Sequence, residues 1–489
     1  MSLNGSISRR DFIKTTAVGG AAVAFAPIWA ADRPLGGPRP NILFITTDQQ
    51  HVRMMSCMGE SHVSTPNLDA LTAGGCRFDS AYCANPVCVP SRYSMMTGYM
   101  PHVFDGLETN AYPTMSDWVS TPTMGWIFKN AGYETAYGGK LHIEGYQSYK
   151  VDAEETFGFT HISSDQGAGL ATACASFFNQ THDKPFLLWA SFIQPHGICA
   201  TPGVRPQNPE SSWASLDTKF APSERRGGDA PPPPTNFDPS ANETDWMSIF
   251  RGGGEDGPWY DLGLNGIYGE TASTWSAENW ADYRWLYRRC VEEVDSHVGT
   301  VLNALKASGL EDNTIIVFTS DHGDHDGAHQ LTMKRSFYEE AANIPLIVSW
   351  KNNIPAGTVN SNGLINNGVD LIPTLCDFAG IQPPAELKGK SFRMLAETGS
   401  DPFERDFVVA ETVRGRMVRS KRYKYNLYYN NRNGLAEEEL FDIRSDPTET
   451  TNLAGEGSMA DPLALHRQYL TRWASTHQDS KAQSYLAAL

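Results

Sequence analysis

The chain has 489 residues, 40% hydrophobic and 19% charged, so it can bury a large core and does not fall in a disordered class. Its 56 acidic residues against 39 basic ones give a formal net charge of -17, which argues against nucleic acid or an anionic membrane surface as partner. An anionic substrate would need a local cationic pocket.

At the N-terminus, Ser8-Arg9-Arg10-Asp11-Phe12-Ile13-Lys14 has the form of a twin-arginine export signal. Thr15 to Ala31 adds a small-residue apolar stretch too short and weak to span a membrane. Residues 1–31 are therefore read as a leader, cut after Ala26 or nearer Ala30, and a bacterial periplasmic or secreted location is expected. Its loss removes Arg9, Arg10 and Lys14 against Asp11, which takes the net charge from -17 to about -19.

Asn41 to Asp48 is an apolar run ending in an acid, followed by Gln49; it reads as a buried parallel strand with Asp48 at its carboxyl end. Next comes Asn85-Pro86-Val87-Cys88-Val89-Pro90-Ser91-Arg92, where Pro90 suits the first turn of a helix that Ser91 to Thr97 continues and Gly98 stops. Cys88 then sits at a helix N-terminus, whose unpaired N–H groups favour an anion, although a buried helical cysteine is the plainer alternative. Gly139-Lys140-Leu141-His142 follows, then the apolar run Phe186 to Ser191 leading to His196.

Residues 200–280 are rich in glycine, proline and aromatics with little periodicity, and read as a long loop insertion of the kind that forms lids and substrate walls. Trp213, Trp246, Trp259, Tyr260, Tyr268, Trp275 and Trp280 either stack on sugar faces or anchor that loop. Asp282 to Ser308 shows helical periodicity, and Thr314 to Ser320 is a third apolar run, leading to Asp321-His322. Lys334 comes shortly after, with Asp324, His325, Asp326 and His329 between, and Pro345 to Trp350 is a further candidate strand. Three strands each delivering polar groups at their carboxyl ends outline a site in an α/β sheet flanked by helices. Beyond residue 385 short strands at Asp406 to Glu411, Tyr423 to Tyr429 and Glu439 to Ile443 precede a helix near Pro462 to Gln478. The expected organisation is an α/β unit over 38–384 and a C-terminal α+β subdomain over 385–489. The eight cysteines are sparse and irregularly spaced, unlike a disulfide framework, and at least one, a buried thiol such as Cys290 or Cys376, is expected to stay unpaired.

Taken in order, Asp48, Cys88-Val89-Pro90-Ser91-Arg92, Gly139-Lys140-Leu141-His142, His196, Asp321-His322 and Lys334 resemble the type I sulfatase family, the formylglycine-dependent branch of the alkaline-phosphatase-like superfamily. The resemblance covers nearly the whole mature chain. It implies a large mixed, mostly parallel sheet sandwiched by helices, with a smaller C-terminal antiparallel sheet plus helix. It also implies that a maturation enzyme oxidises Cys88 to formylglycine, whose hydrate attacks the sulfur of a sulfate monoester. By the same resemblance Asp48, Gln49, Asp321, His322 and residue 88 hold a divalent cation, usually calcium. Lys140 contacts a sulfate oxygen, His142 takes the proton that lets sulfate depart, His196 and Lys334 bind the ester and help protonate the leaving oxygen, and Arg92 holds the formylglycine.

Two departures from the family pattern matter. Gln49 stands where many members carry a second aspartate, and His322 where many carry asparagine, so manganese and magnesium are admitted beside calcium. The expected partner is a small-molecule or oligosaccharide sulfate ester, with a sulfated carbohydrate preferred and choline or aryl sulfates open. Two other readings stand beside this one: a phosphonate monoester or phosphodiester hydrolase of the same superfamily, and a non-catalytic protein that binds sulfated glycans.

Overall fold

A strand buried on both faces must be apolar at nearly every position rather than at alternate ones. Asn41–Asp48 meets that condition, and in the structure, a computed structural model, it forms β1, buried along its whole length. The structure describes residues 38–104, 122–143, 156–200, 231–252, 272, 275–430 and 433–489. The expected leader and much of the 200–280 insertion, with Trp213, Trp259, Tyr260 and Tyr268, lie outside the described residues.

After β1 come α1 (Pro66–Ala73), β2 (Cys76–Phe78), β3 (Ala81–Tyr82), α2 (Cys88–Thr97), α3 (Met124–Asn130), β4 (Glu134–Gly139), β5 (Thr160–Ser163), α4 (Ala168–Phe178) and β6 (Phe186–Pro195). They are followed by α5 (Asp245–Gly252), α6 (Ala277–Ala307), β7 (Thr314–Ser320), α7 (Glu339–Ala342), β8 (Leu346–Ser349), β9 (Thr358–Asn360), β10 (Ile365–Asn366), α8 (Asn367–Ala379) and α9 (Arg393–Thr398). The C-terminal part contributes β11 (Phe407–Thr412), β12 (Gly415–Ser420), β13 (Tyr423–Asn430), β14 (Leu435–Asp442), α10 (Ala460–His477) and α11 (Ser480–Ala487).

The main sheet has the order β5-β4-β6-β1-β7-β8-β2-β9. The five strands from β5 to β7 are parallel, whereas β8 runs against both β7 and β2, which makes the sheet mixed. Alternation sends Ile42 and Phe44 of β1 to one core and Leu43 and Ile45 to the other. Val89, Tyr93 and Met96 of α2 and Leu371 and Leu375 of α8 fill the first. Val294, Val298, Val301 and Leu305, one stripe of α6, close the second with Leu170 and Cys174 of α4. The helix expected from Asp282 starts at Ala277, because a capping box between Ser276 and Asn279 adds a polar first turn that apolar periodicity does not reveal.

The C-terminal meander β11-β12-β13-β14 is antiparallel, and two helices pack on it where the sequence suggested one. Val409, Val418, Tyr425 and Leu440 meet Leu470 and Trp473 of α10 on one face. On the other, Val408, Met417, Tyr428 and Phe441 meet Trp246, Met247, Phe250 and Phe337. Trp246 thus anchors the insertion, and Trp280 packs against Phe237 and Trp275. All eight cysteines are free, with Cys290 and Cys376 buried on α6 and α8. No helix among the described residues is long and apolar enough to cross a membrane.

Polar joints fasten the C-terminal sheet to the larger unit. Arg405 forks onto both oxygens of Asp370 on α8. His102 places Nδ1 2.7 Å from Glu411 Oε2 and Nε2 3.1 Å from the His477 carbonyl, so both nitrogens face acceptors, as an imidazolium requires. Burial opposes the charge, but Glu411 and Asp479 outweigh it and raise the His102 pKa from 6.5 to about 9. A folded pKa above the unfolded one gives stability that is complete below pH 6.5 and lost as pH rises through about 9. The joint is expected to contribute about 2–3 kcal/mol. Unfolding of His102→Asn between pH 6 and 10 should show a flatter alkaline decline than the parent, and parallel curves would remove His102 from the account.

Candidate active site

Register brings the site together. Thr47 of β1 pairs with Ser320 of β7, so Asp48 and Asp321 leave neighbouring strands side by side. β6 on the other flank of β1 ends at Pro195 and hands on to His196, while Gly139 of β4 pairs with Ser191 and hands on to Lys140. Gly139 has φ +94, and a Cβ there would lie 2.0 Å from the Ser191 carbonyl, so only glycine permits this exit from the strand. Opposite these ends α2 begins at Cys88 and stops at Gly98 in the left-handed conformation, as its sequence indicates.

Two buried carboxylates this close repel one another, and a guanidinium relieves them. Arg92, sealed from solvent, donates from Nε to Asp321 Oδ2 at 2.8 Å and from Nη2 to Asp48 Oδ2 at 3.1 Å. Its Nη1 reaches the Lys140 carbonyl at 2.7 Å and Ser191 Oγ at 2.8 Å. Its bonds therefore go to the acids and the strand ends, not to Cys88. Lys140 Nζ lies 2.5 Å from Asp48 Oδ2. Burial and Cys88 push the Asp48 pKa up, yet Lys140, His196 and Arg92 together hold it far below the usual carboxylate range. Asp321 goes the other way, raised to about 6 by burial and by the charge of Asp48.

Cys88 Sγ is the common neighbour. Lys334 Nζ lies 2.9 Å from it, His322 Nε2 3.1 Å, and Asp48 Oδ1 3.8 Å. His142 and His196 also hydrogen-bond to it. Burial alone would raise the thiol pKa, but Lys334, Lys140 and His322 hold it well below its ordinary value, so this position favours an anion. Burial and Lys140 lower the pKa of both His142 and His196, the latter to about 4, so both are neutral at pH 7.

Gln49 donates from Nε2 to Asp324 Oδ2 at 2.7 Å, and its Oε1 accepts from Lys334 Nζ at 2.7 Å and from Cys199 Sγ at 3.3 Å. Every residue singled out in the sequence as catalytic or metal-binding thus belongs to one cluster. Of the four acids and histidines between Asp321-His322 and Lys334, Asp324 touches the cluster through Gln49, and Asp326 pairs with Arg284 and Arg288 of α6. His325 and His329 turn instead to Ser336 and to Asn236 and Ser240. Ser191, Cys199 and Tyr283 join the cluster without a sequence signal beyond Ser191 ending an apolar run.

The ligand atoms of Asp48, Cys88, Asp321 and His322 lie within 4.8 Å of one another, all buried, and form a plausible metal-coordinating cluster. The donor chemistry fits. Arg92 occupies Oδ2 of both aspartates, which leaves each Oδ1 on the side of His322 Nε2, at 4.0 Å for Asp48 and 3.6 Å for Asp321. His322 Nδ1 is 2.8 Å from the Gly323 carbonyl, which fixes the tautomer with Nε2 as the ligand atom.

The family model described as Sulfatase matches residues 40–381. A Delta 4,5-hexuronate-2-O-sulfatase of Bacteroides thetaiotaomicron is 30% identical over 463 residues, covering 90% of each chain. The chain belongs to the sulfatase family. An N-acetylglucosamine-6-O-sulfatase of the same organism is 28% identical, with 90% of this sulfatase and 87% of that chain covered. The solved structure of a 2-O GAG sulfatase superposes with a TM-score of 0.74 at 27% identity, covering 91% of this chain and 94% of that one. Residues 327–474 match the C-terminal model described as N-sulphoglucosamine sulphohydrolase. Residues 6–26 match the TAT (twin-arginine translocation) pathway signal sequence, so the sulfatase is exported to the periplasm or beyond. It is an enzyme, a hydrolase of sulfate esters.

Arg92→Ala should destabilise this sulfatase by about 3–5 kcal/mol, because it leaves two buried carboxylates without their counter-charge. Urea unfolding in chelator measures this; a loss under about 1 kcal/mol would mean that the guanidinium does not hold the acids.

Proposed function

We propose that this sulfatase removes sulfate from a sulfated carbohydrate, using formylglycine made from Cys88 and a divalent cation, most simply calcium, with manganese or magnesium as substitutes. The observation that carries the reading is Cys88 Sγ at a helix N-terminus, 2.9 Å from Lys334 Nζ and 3.1 Å from His322 Nε2. That sulfur stands in for the hydroxyl oxygens of the hydrated aldehyde, which supplies a nucleophile for sulfur and, from its second hydroxyl, a route for releasing sulfate. Asp48, Asp321, His322, residue 88 and the Gln49 amide oxygen would hold the cation, which supplies charge stabilisation at the reacting oxygens.

The side chains divide the remaining work. Lys140 and Lys334 offer ammonium groups to the sulfate oxygens. His142 is a base kept neutral by burial and Lys140, and takes the hydroxyl proton as sulfate departs. His196 and Lys334 flank the leaving oxygen, where protons are supplied to the alcohol. Arg92 keeps Asp48 and Asp321 ionised beside one another. Residues 38–384 carry this chemistry, while Thr412, Val413 and Arg414 of 385–489 line a cavity with Val87 and Arg335.

Substrate class is supported by relatives named for sulfated hexuronate and N-acetylglucosamine. Val87, which precedes Cys88 in the chain, and Arg335, which follows Lys334, line a small cavity with Trp246, Phe250 and Arg414. Aromatic rings beside guanidinium groups suit a sugar bearing negative charge.

The tryptic peptide Phe78 to Arg92, from protein made in its native host, should carry an aldehyde at Cys88 and a thiol at Cys83. That protein should hydrolyse sulfated disaccharides in preference to phosphonate monoesters, with turnover abolished in Cys88→Ala and cation occupancy lowered in Asp321→Asn. Faster phosphonate turnover would transfer the assignment to the phosphonate hydrolases, and glycan binding without hydrolysis would leave a binding protein. Trp246→Ala should raise KM for the disaccharide more than for a small aryl sulfate; equal changes would leave Trp246 as packing alone.

A further inference from the structure

Gln49 is gripped at both ends by groups whose hydrogen-bonding polarity is fixed. Lys334 Nζ has donors only, and it lies 2.7 Å from Gln49 Oε1. At the other end Gln49 Nε2 donates to Asp324 Oδ2 at 2.7 Å. Asp324, fully buried, also accepts the Asp326 backbone N–H at 2.8 Å and the Tyr283 hydroxyl at 2.9 Å. The Tyr283 oxygen in turn accepts the Met333 N–H at 3.2 Å, which leaves its own proton for Asp324. Backbone N–H groups and an ammonium cannot reverse, so the polarity of the whole circuit from Met333 to Lys334 follows, and with it which end of the amide is oxygen.

Strained backbone lies on and beside this circuit. Gln49, Met333 and Arg335 have φ of 73, 64 and 92, a region that residues with a Cβ keep only where their surroundings impose it. Two of them flank Lys334, and the third is Gln49 itself.

We propose that Asp324, braced by Tyr283, is a positioning residue that fixes the Gln49 amide with its oxygen toward the reaction centre and registers Lys334 against residue 88. An aspartate in place of Gln49 would need no such device, since both its oxygens accept. A glutamine can be presented the wrong way round, with its NH2 group against the Lys334 ammonium, and the carboxylate behind it removes that option. Asp324 acts through Gln49 and touches no ester. The inference rests on the reading of Gln49 and Lys334 as groups of the reaction centre.

Asp324→Asn offers Gln49 an NH2 group as well as an oxygen and so permits the reversed amide. In the matured, cation-loaded enzyme kcat should fall roughly 10–100-fold with little change in KM, and calcium or manganese affinity, read by titration calorimetry on the chelated protein, should fall roughly tenfold. Adding Gln49→Glu to Asp324→Asn should restore most of both, because the new carboxylate at position 49 accepts from Lys334 and from the amide introduced at position 324 alike. Tyr283→Phe, which keeps the ring, should show the same pattern with smaller losses and serves if Asp324→Asn fails to fold. Parental kcat and cation affinity in folded Asp324→Asn, or a double variant no better than the single, would overturn the proposal. If the parent itself turns over no sulfate ester, the functional reading fails, while the cation titrations of parent, single and double variants still decide the role of Asp324.

Discussion

Everything at the centre depends on one guanidinium without access to water. β1 and β7 run parallel in a register that leaves Asp48 and Asp321 facing the same few ångströms. Unrelieved, that pair would keep one acid protonated, and neither a metal nor a cationic lysine would find its full counter-charge. Arg92 reaches both Oδ2 atoms and ties in the Lys140 carbonyl and Ser191, so a single side chain of α2 fastens the ends of β1, β4, β6 and β7. A lysine, with its donors on one nitrogen, could not span these partners. Because Cys88 opens the same helix one turn earlier, its position relative to the acids is set by the same clamp.

Around the clamp the described residues pack in layers. The central strands feed alternate residues to two cores, and the C-terminal meander is itself covered on both faces, by α10 and α11 and by α5 with its neighbours. Trp246 belongs to that second cover and lines the cavity beside Val87 as well, so anchoring and wall-building are carried by one residue. Burial, with Lys140 beside them, keeps His142 and His196 neutral; it opposes the charge on Lys334 too, but Cys88, Cys199, Asp48 and Asp321 outweigh it.

The sequence disclosed what has a local pattern. Continuous apolar runs announced β1, β6 and β7, the proline and glycine around Cys88 bounded α2, and the groups following each strand proved to converge. β8 was legible as a strand but not as a reversed one, because direction in a sheet depends on connections and leaves no mark on composition. The first turn of α6 was hidden by its polarity, and α11 by its brevity. Cys199 and Tyr283 reach the site from segments with no motif, and only folding brings them to Gln49 and Asp324. Arg92 was legible as part of the site, though its partners were not: the bonds run to the acids.

The burial of α2 also imposes an order of events on the life of the chain. Cys88 is 4% exposed, and Ser91 and Arg92 are not exposed at all. Any enzyme that had to read Cys88, Pro90, Ser91 and Arg92 as an extended peptide would have nothing to grip once this helix is in place. The oxidation proposed for Cys88 would therefore have to come before this helix is buried. Folding then closes a window for modification, and a molecule that folds first remains a thiol protein for as long as it stays folded.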